Sequence, residues 1–207
     1  MVTGRLFKFI LLFFLGLAPP VQAETPGITP PATVAMVFHR LAGSAPDFAA
    51  WAKMMPEYQS ALTFDRQNVL SAKVAELKNA YALLTLQEPI VAEMRVKLSP
   101  YSETNRGFFV EGLDDDAFFP VEHAGNFYAV IPRRIGDRQW VKVPNAAQAA
   151  ALTAARDSAP DITMVFFLMP KYADRSAPAD IGGKPHWLLS AEILKTALYA
   201  ADSKAPL

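Results

Sequence analysis

The chain has 207 residues, with 20 basic and 20 acidic side chains, no cysteine, 17 prolines and 52% hydrophobic residues. A formally neutral chain has no basic surplus with which to displace counterions from a polyphosphate, which argues against nucleic acid as a partner. The lack of cysteine removes disulfides, thiolate nucleophiles, zinc–thiolate centres and iron–sulfur clusters together. Collagen-like, coiled-coil and largely disordered classes fit this composition badly.

Residues 1–23 follow the order of an export signal. Arg5 and Lys8 precede an apolar run from Phe9 to Ala18, and the small residues Val21 and Ala23 place cleavage between Ala23 and Glu24. As a helix the run rises about 15 Å, roughly half of a hydrocarbon core of about 30 Å, so it reads as a signal peptide and not as a span. Position 24 is not cysteine, so a lipid anchor there has no attachment point. The expected product is periplasmic or secreted, with no membrane span after signal cleavage, and the brief signal on a cysteine-free chain favours a bacterial periplasm.

Residues 24–33 (ETPGITPPAT) hold three prolines and a glycine and read as a flexible linker. A single globular domain is expected over 34–200, followed by a tail at 201–207. Val34, Val37, Phe38 and Leu41 recur at helical spacing, which predicts a short amphipathic helix ending near Ala42 and Gly43. Ser44 and Asp47 form a capping-box pattern ahead of Phe48, Trp51 and Met55, and Pro56 should stop that helix near Met55. The clearest helix runs from about Asp65 to Leu86, where Leu70, Val74, Leu77, Tyr81 and Leu84 form one stripe.

After Pro89 the period changes to two. Ile90, Ala92, Met94, Val96 and Leu98 alternate with the charged Glu93, Arg95 and Lys97, the pattern of a strand with one buried and one wet face. Phe108–Val110 reads as its returning partner. Asn126–Ile131 and Gln139–Val143 read as a second hairpin, turned through Pro132–Asp137. Asn145–Ala155, with Asn145 and Gln148 as a capping pair, predicts a helix between strands. The run Asp161–Met169 (DITMVFFLM), bounded by prolines, predicts a central strand. Tyr172–Pro185 reads as a loop. Residues 186–200 allow a strand or a helix, and the alternation of Trp187, Leu189, Ala191 and Ile193 favours the strand. The fold class that follows is α+β, with N-terminal helices packed on a mainly antiparallel sheet of about five or six strands.

Chemistry is sparser. No nucleophile elbow, phosphate loop, HExxH or dinucleotide fingerprint occurs in the chain. Of the three histidines, His39 reads as a partly exposed helix residue and His186 as a hydrogen-bonded strand residue. His123 follows Asp114, Asp115 and Asp116, so this segment is a candidate metal site, with calcium as the candidate ion because clustered oxygens suit it. Ordinary turn chemistry is the competing reading of the aspartates. Arg133, Arg134 and Arg138, together with Tyr128 and Trp140, are ligand-binding candidates, because a guanidinium fork beside an aromatic ring can clamp a planar anion. Solvated rim charges are the alternative there. The adjacent pairs Phe108–Phe109, Phe118–Phe119 and Phe166–Phe167 must send one ring to each face of a strand, so one member of each pair needs a second cover.

The leading functional expectation is a non-catalytic exported domain that binds an envelope protein or a small ligand through an aromatic and arginine-bearing surface. The alternative is a hydrolase or metal-assisted enzyme that uses the Asp114–His123 segment.

Overall fold

A computed structural model describes residues 27–158 and 162–200. The expected signal segment 1–23, the first residues of the expected linker and the tail 201–207 lie outside the described residues. The linker reading ends early, because Thr29 already pairs with the sheet: its N–H donates to Val91 O at 3.0 Å, and its hydroxyl accepts from Val91 N at 2.8 Å. Pro31 then opens α1 (Pro31–Leu41), where its fixed φ suits the first helical position.

Val34 to Phe38 are buried all the way round α1, which lies against two strands described below, the third and the sixth. The second helix, α2 (Phe48–Met54), buries Phe48, Trp51 and Ala52, and its cap is Asp47, whose carboxylate accepts from Ala50 N at 2.9 Å. Ser44 is therefore not the cap. Its hydroxyl meets His39 Nδ1 at 3.1 Å instead. Pro56 ends α2 as expected and starts the one-turn α3 (Pro56–Ser60).

The long helix α4 (Arg66–Leu83) packs on α2 and α3, so it forms an outer layer and buries only Leu77 fully. Half-buried Leu70, Val74, Tyr81 and Leu84 complete the expected stripe. Tyr81 ties the layer down: its hydroxyl donates to Ser44 O at 3.0 Å, while the Arg40 guanidinium lies 4.4 Å from its ring centre and donates to its carbonyl. The N-terminal helices are thus stacked on one another, with α1 lying along the sheet and α2 reaching β3 through Trp51.

The sheet has seven strands: β1 (Ile90–Leu98), β2 (Gly107–Glu111), β3 (Phe119–His123), β4 (Asn126–Arg133), β5 (Trp140–Lys142), β6 (Ile162–Ile181) and β7 (Lys184–Tyr199). Their order is β3-β4-β7-β6-β1-β2-β5, and every pairing is antiparallel except β4 with β7. In β1 the expected alternation holds: Ile90, Ala92, Val96 and Leu98 are buried, and Glu93, Arg95 and Lys97 are exposed. Register then places Ala92 beside Phe166, Met94 beside Met164 and Tyr128 beside Trp187, which builds one apolar face under the helices. The fifth helix, α5 (Ala146–Ser158), is capped by Asn145, which accepts from Gln148 N at 2.9 Å, as its sequence predicts.

Three strand expectations are corrected. The sheet has one more strand than the upper expectation, because β3 was not foreseen. It forms a hairpin with β4 through Ala124 and Gly125, both at positive φ (49° and 73°), the conformation that matches the twist of paired strands. The expected hairpin between 126–131 and 139–143 does not form, since β4 is taken by β3 and β7 while β5 pairs with β2 at the opposite edge.

Nor is Tyr172–Pro185 a loop. β6 runs on to Ile181 and turns at Gly182 and Gly183 (φ 62° and 80°) into β7. Proline is tolerated because the ladder shifts register between Pro170 and Tyr172 and again between Asp174 and Ala179, a stretch that includes Pro178. Residues 186–199 are strand, as favoured. A third shift leaves Leu194 out of the ladder and 49% exposed.

Candidate functional site

The chain leaves β4 at Arg133 and reaches β5 through a short 3₁₀ turn, Ile135–Arg138. Three contacts hold this turn in place. Ile135 is 1% exposed and anchors it in the core. The Asp115 carboxylate accepts from Gly136 N at 3.1 Å, and Gln139 Nε2 donates to Leu113 O at 2.7 Å. A Cβ at position 136 would lie 2.6 Å from the Asp115 carboxylate oxygen, so the approach is one that glycine permits.

Asp115 clamps the turn, Asp114 O accepts from Ala117 N at 3.0 Å, and Asp116 is exposed. His123 instead sits on β3 against Trp51. Among the described residues no group of three or more His, Asp or Glu side chains could hold a metal ion, so Asp114, Asp115, Asp116 and His123 are not assembled into a calcium site.

The arginine candidates are placed differently. Arg133, Arg134 and Arg138 are exposed and, among the described residues, form no ion pair. Two clefts flank their turn. One, of about 840 Å³, is lined by Arg133, Arg134, Asp115, Ser190, and the Lys171–Glu192 ion pair, which closes at 3.1 Å. The other, of about 770 Å³, is lined by Arg138, Trp140, Lys142, Gln148, Leu152 and Leu198 among others. Lys142 Nζ donates to Asn105 O at 2.8 Å and lies 5.4 Å from the Trp140 ring centre, which fixes the ring's outer flank.

Tyr128 does not belong to this surface. It is 1% exposed, faces α1 from β4, and lies 5.4 Å from the Phe38 ring. Its hydroxyl is 3.5 Å from His39 Nε2, and burial pushes its pKa up to about 12. Ser44, His39 and Tyr128 thus form a polar tether between the α1–α2 connection and the sheet. Burial also lowers the pKa of His39 and of His123 below the ordinary imidazole value, because each ring loses solvent that would favour its charged form. His186 is 6% exposed and hydrogen-bonded to Lys184 O at 2.9 Å, between the rings of Phe118 and Phe127.

The adjacent phenylalanines divide as strand geometry requires. Phe108, Phe119 and Phe166 are buried in the core. Their neighbours are half-covered by side chains on their own side of the sheet: Phe109 by Trp140 at 5.5 Å, Phe118 by His186 at 6.1 Å, and Phe167 by Lys195 Nζ at 4.1 Å from the ring centre. Each of these three rings stays half-buried beside its neighbour.

No protein-family model, curated protein or solved structure matches the chain. Among the residues that sequence reasoning missed, Gln148, Leu152 and Leu198 reach the Trp140 cleft from α5 and β7. Leu198 lies far from the arginines along the chain, while Gln148 was read only as a capping residue and Leu152 carried no local mark of a cleft.

Proposed function

We propose that the protein is an exported, non-catalytic binding protein of the bacterial envelope that holds a small anionic ligand on the turn from Arg133 to Arg138. The observation that carries this reading is the set of three exposed guanidinium groups without ion pairs among the described residues, on a turn anchored from below and bordered by two clefts. A fixed backbone lowers the ordering cost of ligand capture, and guanidinium matches carboxylate or phosphate oxygens two at a time. Export is supported by the signal pattern of residues 1–23.

The test is a thermal-shift series with the mature chain and citrate, sulfate and phosphate at constant ionic strength. A rise in Tm that disappears in the Arg133→Ala/Arg134→Ala/Arg138→Ala triple variant supports the reading. Equal responses of the two proteins to every anion count against it. Cell fractionation with N-terminal sequencing tests the export half, with Glu24 as the expected first residue in the periplasmic fraction.

A further inference from the structure

The two clefts beside the arginine turn differ in their floors. That on the Arg133 side is lined mostly by charged and hydroxyl groups, including the Lys171–Glu192 ion pair, with Ile131 and Pro132 as its apolar residues. That on the Trp140 side reaches down to the apolar core: Met164 on β6 and Leu198 on β7 are register partners at its base, and Leu152 descends from α5 beside them. Val141 and Val143 line it from the core-facing side of β5, and Trp140 and Lys142 border it from the other side. Polar groups gather at the rim, where Arg138, Lys142 and Asp137 meet Gln148 and Thr196. Two cations stand against one carboxylate, which leaves the rim a single net positive charge.

We infer that this groove binds an amphiphilic monocarboxylate, with its apolar body along Val141, Leu152 and Leu198, bordered by Trp140, and its carboxylate at Arg138. The inference rests on the arginine-turn reading and gives it a ligand class. Each part of the groove selects for that class. An apolar wall favours a ligand that removes hydrocarbon surface from water. One net positive charge is neutralised by one carboxylate, whereas a dianion leaves excess negative charge beside Asp137. The guanidinium fork of Arg138 matches the two oxygens of a carboxylate, and an alcohol of the same body cannot use that match. A volume of about 770 Å³ accommodates either an aliphatic chain or a fused aromatic body.

The experiment titrates the full mature chain with 1-anilinonaphthalene-8-sulfonate, a flat apolar body bearing one negative charge, and then displaces the probe with decanoate, 2-naphthoate, decanol or citrate. The expected result is saturable binding at one site, displaced by at least one of the two carboxylates and at least tenfold less well by decanol. Decanoate against 2-naphthoate distinguishes an aliphatic from an aromatic body. Arg138→Ala should weaken carboxylate binding about tenfold, and Gln148→Trp, an exposed-site substitution that fills the groove mouth, should abolish it while leaving Tm unchanged.

Decanol competing as well as decanoate, or probe binding that survives Gln148→Trp, overturns the inference. So does a probe site that appears only in a chain ended at Ala200, which would assign the groove to residues 201–207. Failure of both carboxylates while citrate still raises Tm through the three arginines overturns the amphiphile alone. Failure of every anion overturns the arginine-turn reading with it.

Discussion

The imidazole of His123 meets the indole of Trp51 edge to face, with ring centres 4.4 Å apart and planes at 89°. His39 approaches the same indole at 5.8 Å, so α2 is held between imidazoles from β3 and α1. His123 Nε2 is buried and, among the described residues, has no hydrogen-bond partner. Both histidines have folded pKa values lowered by burial from the ordinary 6.5. Between the folded value and 6.5 the unfolded chain binds more protons than the native one, so stability is fully present above about pH 6.5 and falls as pH drops below it. Urea midpoints at pH 7.5 and pH 5.5 should show this loss, with Trp51 emission reporting the change around α2. An unchanged midpoint across that interval would contradict the assigned burial.

A His123→Phe variant should separate packing from titration. Phenylalanine keeps an aromatic edge against Trp51 and removes a buried nitrogen without a partner, a group whose desolvation costs about 1–3 kcal/mol. At pH 7.5 the variant should match or exceed the parent by about 1 kcal/mol, and its stability should fall less on acidification. A destabilisation of several kcal/mol at pH 7.5 would mean that His123 Nε2 has a partner after all.

Arg134 adopts a left-handed backbone, φ 58° and ψ 41°, a conformation that costs an L-residue about 1–2 kcal/mol and glycine very little. Its side chain is exposed, so packing does not explain the arginine. Arg134→Gly should leave stability equal or slightly raised, within about 1 kcal/mol, because glycine's added unfolded-state entropy offsets the relieved strain. Anion affinity should fall. A chemical-denaturation curve paired with the citrate thermal-shift series checks both outcomes.

Gly107 begins β2 opposite Lys142, and a Cβ there would be driven into the backbone carbonyl of Val141. Since backbone cannot swing aside as a side-chain tip can, Gly107→Ala should displace β5 and cost about 1–3 kcal/mol. Trp140 would move with β5, so its emission should shift toward the red and probe binding in the groove should weaken. Unaltered Trp140 emission in a folded variant would contradict the β2–β5 pairing.

How far the sequence disclosed this arrangement depended on whether the deciding interaction was local. β1 was legible because its charged residues mark a wet face against Ile90, Ala92, Val96 and Leu98. The central place of β6 was legible in the nearly continuous apolar run Ile162–Met169, with β1 and β7 paired on its flanks. Its continuation past Pro170 was hidden, because irregularities in the ladder absorb the prolines and make a strand resemble a loop.

Gly182-Gly183 was a readable hairpin signal lying inside that misleading composition. Ala124 at positive φ carried no such signal, since alanine rarely turns hairpins. Arg133, Arg134, Arg138 and Trp140 are neighbours in the chain, and the structure divides them between two clefts. Tyr128 was misplaced although strand alternation sets it beside buried Val130 and away from Ile131, which points to the opposite face.

The most direct test of the binding account is a ¹H–¹⁵N NMR titration of the mature protein with whichever of decanoate and 2-naphthoate displaces the probe better. Its three tryptophans, Trp51, Trp140 and Trp187, supply separate indole signals. The account predicts saturable shifts of the Trp140 indole and of backbone amides from Gly136 to Lys142, with the Trp51 and Trp187 indoles unmoved. Shifts centred on Trp51 or Trp187, or no saturable shift at Trp140, would contradict it.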